Sequence, residues 1–159
     1  MRVPLRVESL IGSPKPVLYV TLRIPRFHIF RPVKMFIDTG SSWNIISEKD
    51  SQMMGIPFSK LHQKRSSVGV GGGTVIGHLI KNAVITFRNE KGKLVHRTLS
   101  KIYAIRTMKR DKETRKRVLT FPSVLGVDFL IEHKFKLIFD PMNRVAYLEE
   151  VRESSSDHP

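Results

Sequence analysis

The stretch that most constrains this chain is Val33-Lys34-Met35-Phe36-Ile37-Asp38-Thr39-Gly40-Ser41-Ser42-Trp43. Val33, Met35 and Ile37 alternate as in a strand with one buried face, and Phe36 makes the run apolar on both sides near its end. Such a strand belongs inside a sheet, yet it runs straight into an acid. Asp38, followed by Thr39 and Gly40, sits on a tight turn. Gly40 permits positive φ and close approach by another backbone. Alone, an Asp-Thr-Gly tripeptide also reads as an Asx turn ending a strand. Its meaning depends on the rest of the chain.

Short strand-like runs with turn punctuation surround it. Pro4–Ile11 and Val17–Ile24 read as strands joined by a turn at Gly12-Ser13-Pro14-Lys15-Pro16, and Pro25 to Pro32 as a loop. Its mixture of Phe27, His28, Phe30 and Arg reads as loop packing or as a stacking surface for bases. Asn44 to Ser47 returns as a strand. Ser47 then N-caps a helix over Glu48 to Met54, with acids in its first turn and Gly55 past its end. Val75 to Phe87 is a strand with a bulge or bend at Gly77-His78. Asn89-Glu90-Lys91-Gly92 is a hairpin turn, and Lys93 to Ile105 is the returning strand. Val118 to Phe121 resumes a strand, and Asp128 is placed to N-cap a helix over Phe129 to His133. Phe135–Phe139 and Arg144–Leu148 are strands about an Asp140-Pro141-Met142-Asn143 turn. Many short strands and two short helices predict a closed, all-β architecture.

At 159 residues with 40% apolar content, the chain has the size and composition of one folded domain. The expected boundaries are a domain over 1–150 and a disordered tail over 151–159. The absence of Cys excludes disulfides and thiolate metal sites. No signal-peptide pattern stands in residues 1–12, and no apolar run reaches membrane-spanning length. A cytoplasmic protein with no membrane association is the expectation. The formal net charge of +14 implies attraction to acidic partners. Its densest part is residues 106–117, where seven Lys or Arg stand against two acids. This reads as a solvated hairpin loop, or as a patch for an acidic partner or RNA within residues 88–117.

Two further segments give the Asp38 stretch its context. One is the glycine-rich run Ser66-Ser67-Val68-Gly69-Val70-Gly71-Gly72-Gly73-Thr74-Val75. The other is Ser123-Val124-Leu125-Gly126-Val127-Asp128. In this order the three resemble the retropepsins, the single-domain aspartic proteases of retroviruses and their cellular and prokaryotic relatives. The resemblance covers roughly residues 15 to 150. It implies a closed acid-protease β-barrel with one or two short helices and an active site at a homodimer axis. Asp38 would be the catalytic carboxyl, with Thr39, Gly40 and Ser41 forming its loop. Val70, Gly71, Gly72, Gly73 and Thr74 would form a flap over a protein or peptide substrate. Leu125 and Gly126 would support the catalytic loop. Pepsin-like enzymes carry two such motifs over about twice this length. The single motif here therefore implies a C2 dimer, with residues near Pro4–Ile11 or Arg144–Val151 in the interface. No cofactor or metal is implied.

The chain also departs from the viral pattern. Ser41-Ser42 and Val127 stand where viral enzymes carry an Ala-Asp pair and a partnering Arg, so that ion pair cannot form. In pepsin-like enzymes a Ser at the position of Ser41 can donate toward the catalytic carboxyls, which implies an acid-shifted activity profile. Competing chemistries are poorly represented. The His residues at 28, 62, 78, 96, 133 and 158 lack metal-site spacing. The glycine run has no Lys-Ser/Thr at phosphate-loop spacing, and Ser41 and Ser42 lack a nucleophile elbow. The remaining alternative is a non-catalytic binding module on the same fold.

Overall fold

The computed structural model describes residues 1–61, 65–70, 73–106 and 112–151. Strands dominate: β1 (Arg2–Pro4), β2 (Arg6–Leu10), β3 (Ser13–Ile24), β4 (Ile29–Ile37), β5 (Ile45–Ile46), β6 (Arg65–Val70), β7 (Gly73–Arg88), β8 (Leu94–Arg106), β9 (Ser123–Leu125), β10 (Phe135–Asp140) and β11 (Val145–Glu150). Three helices join them: α1 (Glu48–Met54), α2 (Lys112–Thr120) and α3 (Val127–Glu132). No helix among the described residues is long and apolar enough to cross a membrane.

The main sheet runs β2-β3-β4-β9-β5-β8-β7-β6, and an added β3–β7 pairing bends it back onto itself. Thr21, Leu22 and Arg23 of β3 meet Thr86, Ile85 and Val84 of β7. This closes a ring of β3, β4, β9, β5, β8 and β7, so the sheet has the closed, all-β form predicted from the strand pattern. Two hairpins run out beyond the ring, β2–β3 and β6–β7. A separate sheet, β1-β11-β10, ties both ends of the described chain together.

β7 shows how one strand serves three neighbours. It pairs with β8 over residues 76–88, with β6 over residues 73–78 and with β3 over residues 84–86. The irregularity falls between those two partners, at Asn82 with φ +57°, and not at Gly77-His78, whose pairing with β8 continues unbroken. Asn is among the residues that accept left-handed φ most readily.

The core follows the alternation read from the sequence. Val33, Met35 and Ile37 are buried with Leu18, Val20, Leu22, Ile46 and Leu125 inside the ring. Phe36 is buried too, as expected for a strand apolar on both faces. A smaller cluster of Ile45, Ile105 and Val124, with Trp43 and Phe121 against it, packs separately from that core.

Local signals set several elements where expected. The Ser47 hydroxyl accepts from the Asp50 N–H at 3.1 Å, and Gly55 ends α1 with φ +69°. Asp140 accepts from the Met142 and Asn143 N–H groups, closing the β10–β11 turn. The Asn143 side chain, which also donates to it, is the main reason the Asp140 carboxyl lies below the usual range.

Four further expectations are corrected. The β2–β3 turn is Ile11-Gly12 alone, and Pro14 and Pro16 lie within β3. Proline survives there because β3 has one neighbour along residues 13–16. The segment Pro25 to Pro32 is a loop only as far as His28, since β4 begins at Ile29. Within the basic segment, residues 112–120 are α2 rather than loop or strand, and β9 starts only at Ser123. Lys, Glu and Arg are good helix formers, and Glu113 precedes Lys116 and Arg117 at the spacing that supports a helix. Finally, α3 begins at Val127 with Gly126 as its N-cap, so Asp128 stands in the first turn and is not the cap. Residues 107–111 and the tail 152–159 lie outside the described residues.

Candidate active site

β4 delivers Asp38 to the surface. Met35, Phe36 and Ile37 pair in parallel with Ser123, Val124 and Leu125 of β9, and the Asp38 N–H continues the ladder to the Leu125 carbonyl at 3.1 Å. The chain then turns. Asp38 Oδ1 accepts from the Gly40 N–H at 2.9 Å, and the Asp38 carbonyl accepts from the Ser41 N–H at 3.1 Å. Asp38, Thr39 and Gly40 are exposed although the strand behind them is buried. A Cβ on Gly40 would stand 3.1 Å from Asp38 Oδ1, so a side chain here would press on the carboxylate.

The remainder of the loop is pinned through its carbonyl groups. The Ser41 carbonyl accepts from the Val127 N–H at 2.8 Å, and the Ser42 carbonyl from the Asp128 N–H at 3.0 Å. These are orphan donors at the start of α3, so the loop itself supplies the cap that Asp128 was expected to provide. The Trp43 carbonyl accepts from the Ser41 hydroxyl at 2.8 Å, and the Asn44 carbonyl from the Tyr103 N–H at 2.9 Å. The Ser41 bond corrects the expectation drawn from pepsin-like enzymes. Its one hydroxyl proton is directed to Trp43 and not to Asp38.

Gly126 fits under this loop with no space to spare. A Cβ there would lie 2.5 Å from the carbonyl oxygens of both Ser41 and Trp43. Leu125 and Gly126 thus meet the loop through backbone, one by accepting a bond and one by close approach.

Two buried polar groups brace this arrangement, and neither was singled out in the sequence. Asn44, 1% exposed, accepts from the Gly126 N–H through Oδ1 at 3.0 Å and donates from Nδ2 to the Lys101 carbonyl at 3.2 Å. It joins the loop, β8 and the turn into α3. Ser123, also buried, donates to Asp50 and accepts from the Ser47 N–H at 2.9 Å, fastening α1 to β9. The available signals were a polar residue beside an apolar run in each case, Asn44 before Ile45-Ile46 and Ser123 before Val124-Leu125. Asn44→Ala would leave the buried Gly126 N–H without its partner and remove the bond to the Lys101 carbonyl. We expect a loss of about 2–4 kcal/mol in denaturant unfolding.

Behind α3, His133 packs on Phe129 with ring centroids 5.2 Å apart. Burial pushes its pKa down; Glu132 opposes this and Arg97 adds to it. The native state therefore favours neutral imidazole. As pH falls below about 6.5 the unfolded chain takes up a proton that the folded chain resists, so stability declines. Thermal unfolding should show Tm falling from pH 7.5 to pH 5.5, with a shallower fall in His133→Gln.

The other expected site residues belong to the β6–β7 hairpin. Gly69 pairs with Thr74 and Val70 with Gly73, while Gly71 and Gly72 lie outside the described residues. No group of three or more His, Cys, Asp or Glu able to hold a metal ion occurs among the described residues.

A family model described as aspartyl protease matches residues 30–129, a span that contains Asp38, the hairpin and Gly126. A retropepsin-like aspartic protease from Rickettsia conorii superposes with a TM-score of 0.54 at 16% identity, covering 94% of this chain and 91% of that one. EIAV protease, complexed with the inhibitor HBY-793, gives 0.44 at 14% identity over 83% of this chain and 100% of that one. The retroviral protease-like domain of Ddi1 from Leishmania major gives 0.43 at 17%, over 87% and 97%. Comparison with curated protein sequences finds no match. With the family model spanning most of the chain, this chain belongs to the aspartyl protease family, and its fold is retropepsin-like.

Proposed function

We propose that the protein is an aspartic endopeptidase whose active site forms when two copies bring their Asp38 carboxyls together. The observation that carries this reading is the exposed Asp38 at the head of a loop whose carbonyls from Ser41 to Asn44 are all hydrogen-bonded. The carboxylate is presented outward on a fixed backbone, as a preorganised reacting group must be. A single carboxyl is insufficient for the chemistry. Two held close together share one proton, because like charges at short range do not both ionise. The ionised member takes a proton from water as the water attacks the peptide carbonyl. The protonated member donates to that carbonyl oxygen and stabilises the charge developing there. One motif per chain then requires a two-fold axis beside Asp38. Thr39 stands next to the carboxylate at that axis.

The β6–β7 hairpin is the flap in this reading. The glycine-rich sequence of this run is the composition that a segment closing over a bound peptide to exclude water calls for. The test is cleavage of an unfolded protein substrate between pH 3 and pH 8, with and without pepstatin. Pepstatin-sensitive cleavage with a bell-shaped pH profile is the expected result. No cleavage at any pH by correctly folded dimer would defeat the proposal and favour a binding module.

A further inference from the structure

The β2–β3 hairpin projects past the catalytic loop. Val17 of β3 is opposite Phe36 of β4. Continuing that register puts Lys15 level with Asp38, and the hairpin runs on to its tip at Ile11-Gly12. At about 3.3 Å per residue the tip lies roughly 13 Å beyond the level of Asp38.

The tip residue is unusual. Ile11 is 92% exposed, and its φ is +51°. A β-branched side chain at positive φ is a true outlier, for which Asn or Gly would be the unstrained choice. The strain and the exposure both cost stability, and the folded subunit gains no packing from either. The arm carrying Ile11 is stiff. Glu8 takes hydrogen bonds from the Tyr19 hydroxyl and from Lys34 Nζ, the latter at 2.9 Å. Arg144 donates to the Val7 carbonyl at 2.7 Å, tying the arm to the β10–β11 turn. Pro14 and Pro16 remove N–H donors from the stretch of β3 that lacks a second neighbour, which discourages strand addition and leaves side-chain contact as the mode of docking.

We infer that the β2–β3 hairpin is a clamp on a second copy of this chain, with Ile11 as its apolar anchor in the partner. The inference rests on the two-copy active site proposed above. It fits that site because the arm overhangs the end of the sheet where the second Asp38 must arrive. It also fits the charge. Two chains of +14 repel, so an apolar anchor holds them where ion pairs between like surfaces would not.

The test is Ile11→Asn, with Ile11→Leu as the apolar control, studied by sedimentation equilibrium and by cleavage across protein concentrations. Asn tolerates the backbone better, so Tm of the subunit should hold or rise while the dimer dissociation constant weakens tenfold or more. Ile11→Leu should stay within threefold of the unmodified chain. Added salt should tighten all three dimers by screening repulsion. Specific activity of Ile11→Asn should fall on dilution and recover at high concentration. An unchanged dissociation constant would overturn the inference. So would an activity loss that concentration does not restore, because the tip would then touch substrate. A dimer that shows this anchor dependence but cleaves nothing would retain the clamp and remove the protease reading instead.

Discussion

Asp38→Asn should bring cleavage to background while the protein remains folded and dimeric. Asn retains an oxygen to accept the Gly40 N–H, so the turn after β4 survives. It cannot serve as base toward water, and a pair of amides has no shared proton. General acid and general base contributions of roughly 10²–10⁴-fold each would be lost together, so the fall in kcat should exceed about 10³-fold. Stability should not fall, because the change would relieve repulsion between the carboxyls at the proposed axis. Single-turnover assays at high enzyme concentration, with circular dichroism as the folding control, measure both quantities. Residual turnover within tenfold of the unmodified enzyme would move the chemistry to another residue.

Gly126→Ala should be nearly as severe, for a different reason. The added methyl meets two backbone carbonyl oxygens at 2.5 Å, and neither is the movable end of a side chain. Relief requires the loop from Ser41 to Trp43 to move away from α3. That strains the bonds to the Val127 and Asp128 N–H groups, and the bond between Asn44 and the Gly126 N–H. We expect destabilisation on the order of 3 kcal/mol and, in protein that still folds, about a 10²-fold loss of kcat from a displaced Asp38. Chemical denaturation and activity at low temperature, read together, separate these effects. A variant of normal stability and normal kcat would show that the loop is not held at Gly126.

How much of this was legible depends on how far each signal reaches along the chain. The strand into Asp38 was visible from its own alternation, and the Ser47-capped α1 and the Asp140 turn because their partners lie within a few residues. The braces of the site were not. Asn44 finds Lys101 and Gly126, and Ser123 finds Asp50 and the Ser47 N–H; only the closed sheet brings these pairs together. Asp128 misled for a related reason, since a helix start normally signals its cap locally. Here the capping acceptors are loop carbonyls far upstream. Pro14 and Pro16 suggested a turn because proline usually opposes pairing, but these stand where β3 has one neighbour. For α2 the information was local and was outweighed by charge. A run of Lys, Glu and Arg has helix propensity whether or not it is also a solvated cationic surface.

The joint between β3 and β7 also bears on how the chain reaches its native state. Hairpins β2–β3, β7–β8 and β10–β11 connect residues close in sequence and can form early. The union of Leu22 with Ile85, and of Met35 with Ser123, must wait for long loops to be organised. Folding dominated by such distant pairings proceeds in milliseconds to seconds, not microseconds. During that interval the edges of β3 and β7 that will meet each other are open to strands of other molecules. Recovery of active protein from denaturant should therefore decline as the concentration during refolding rises, even though the proposed active site needs association to form.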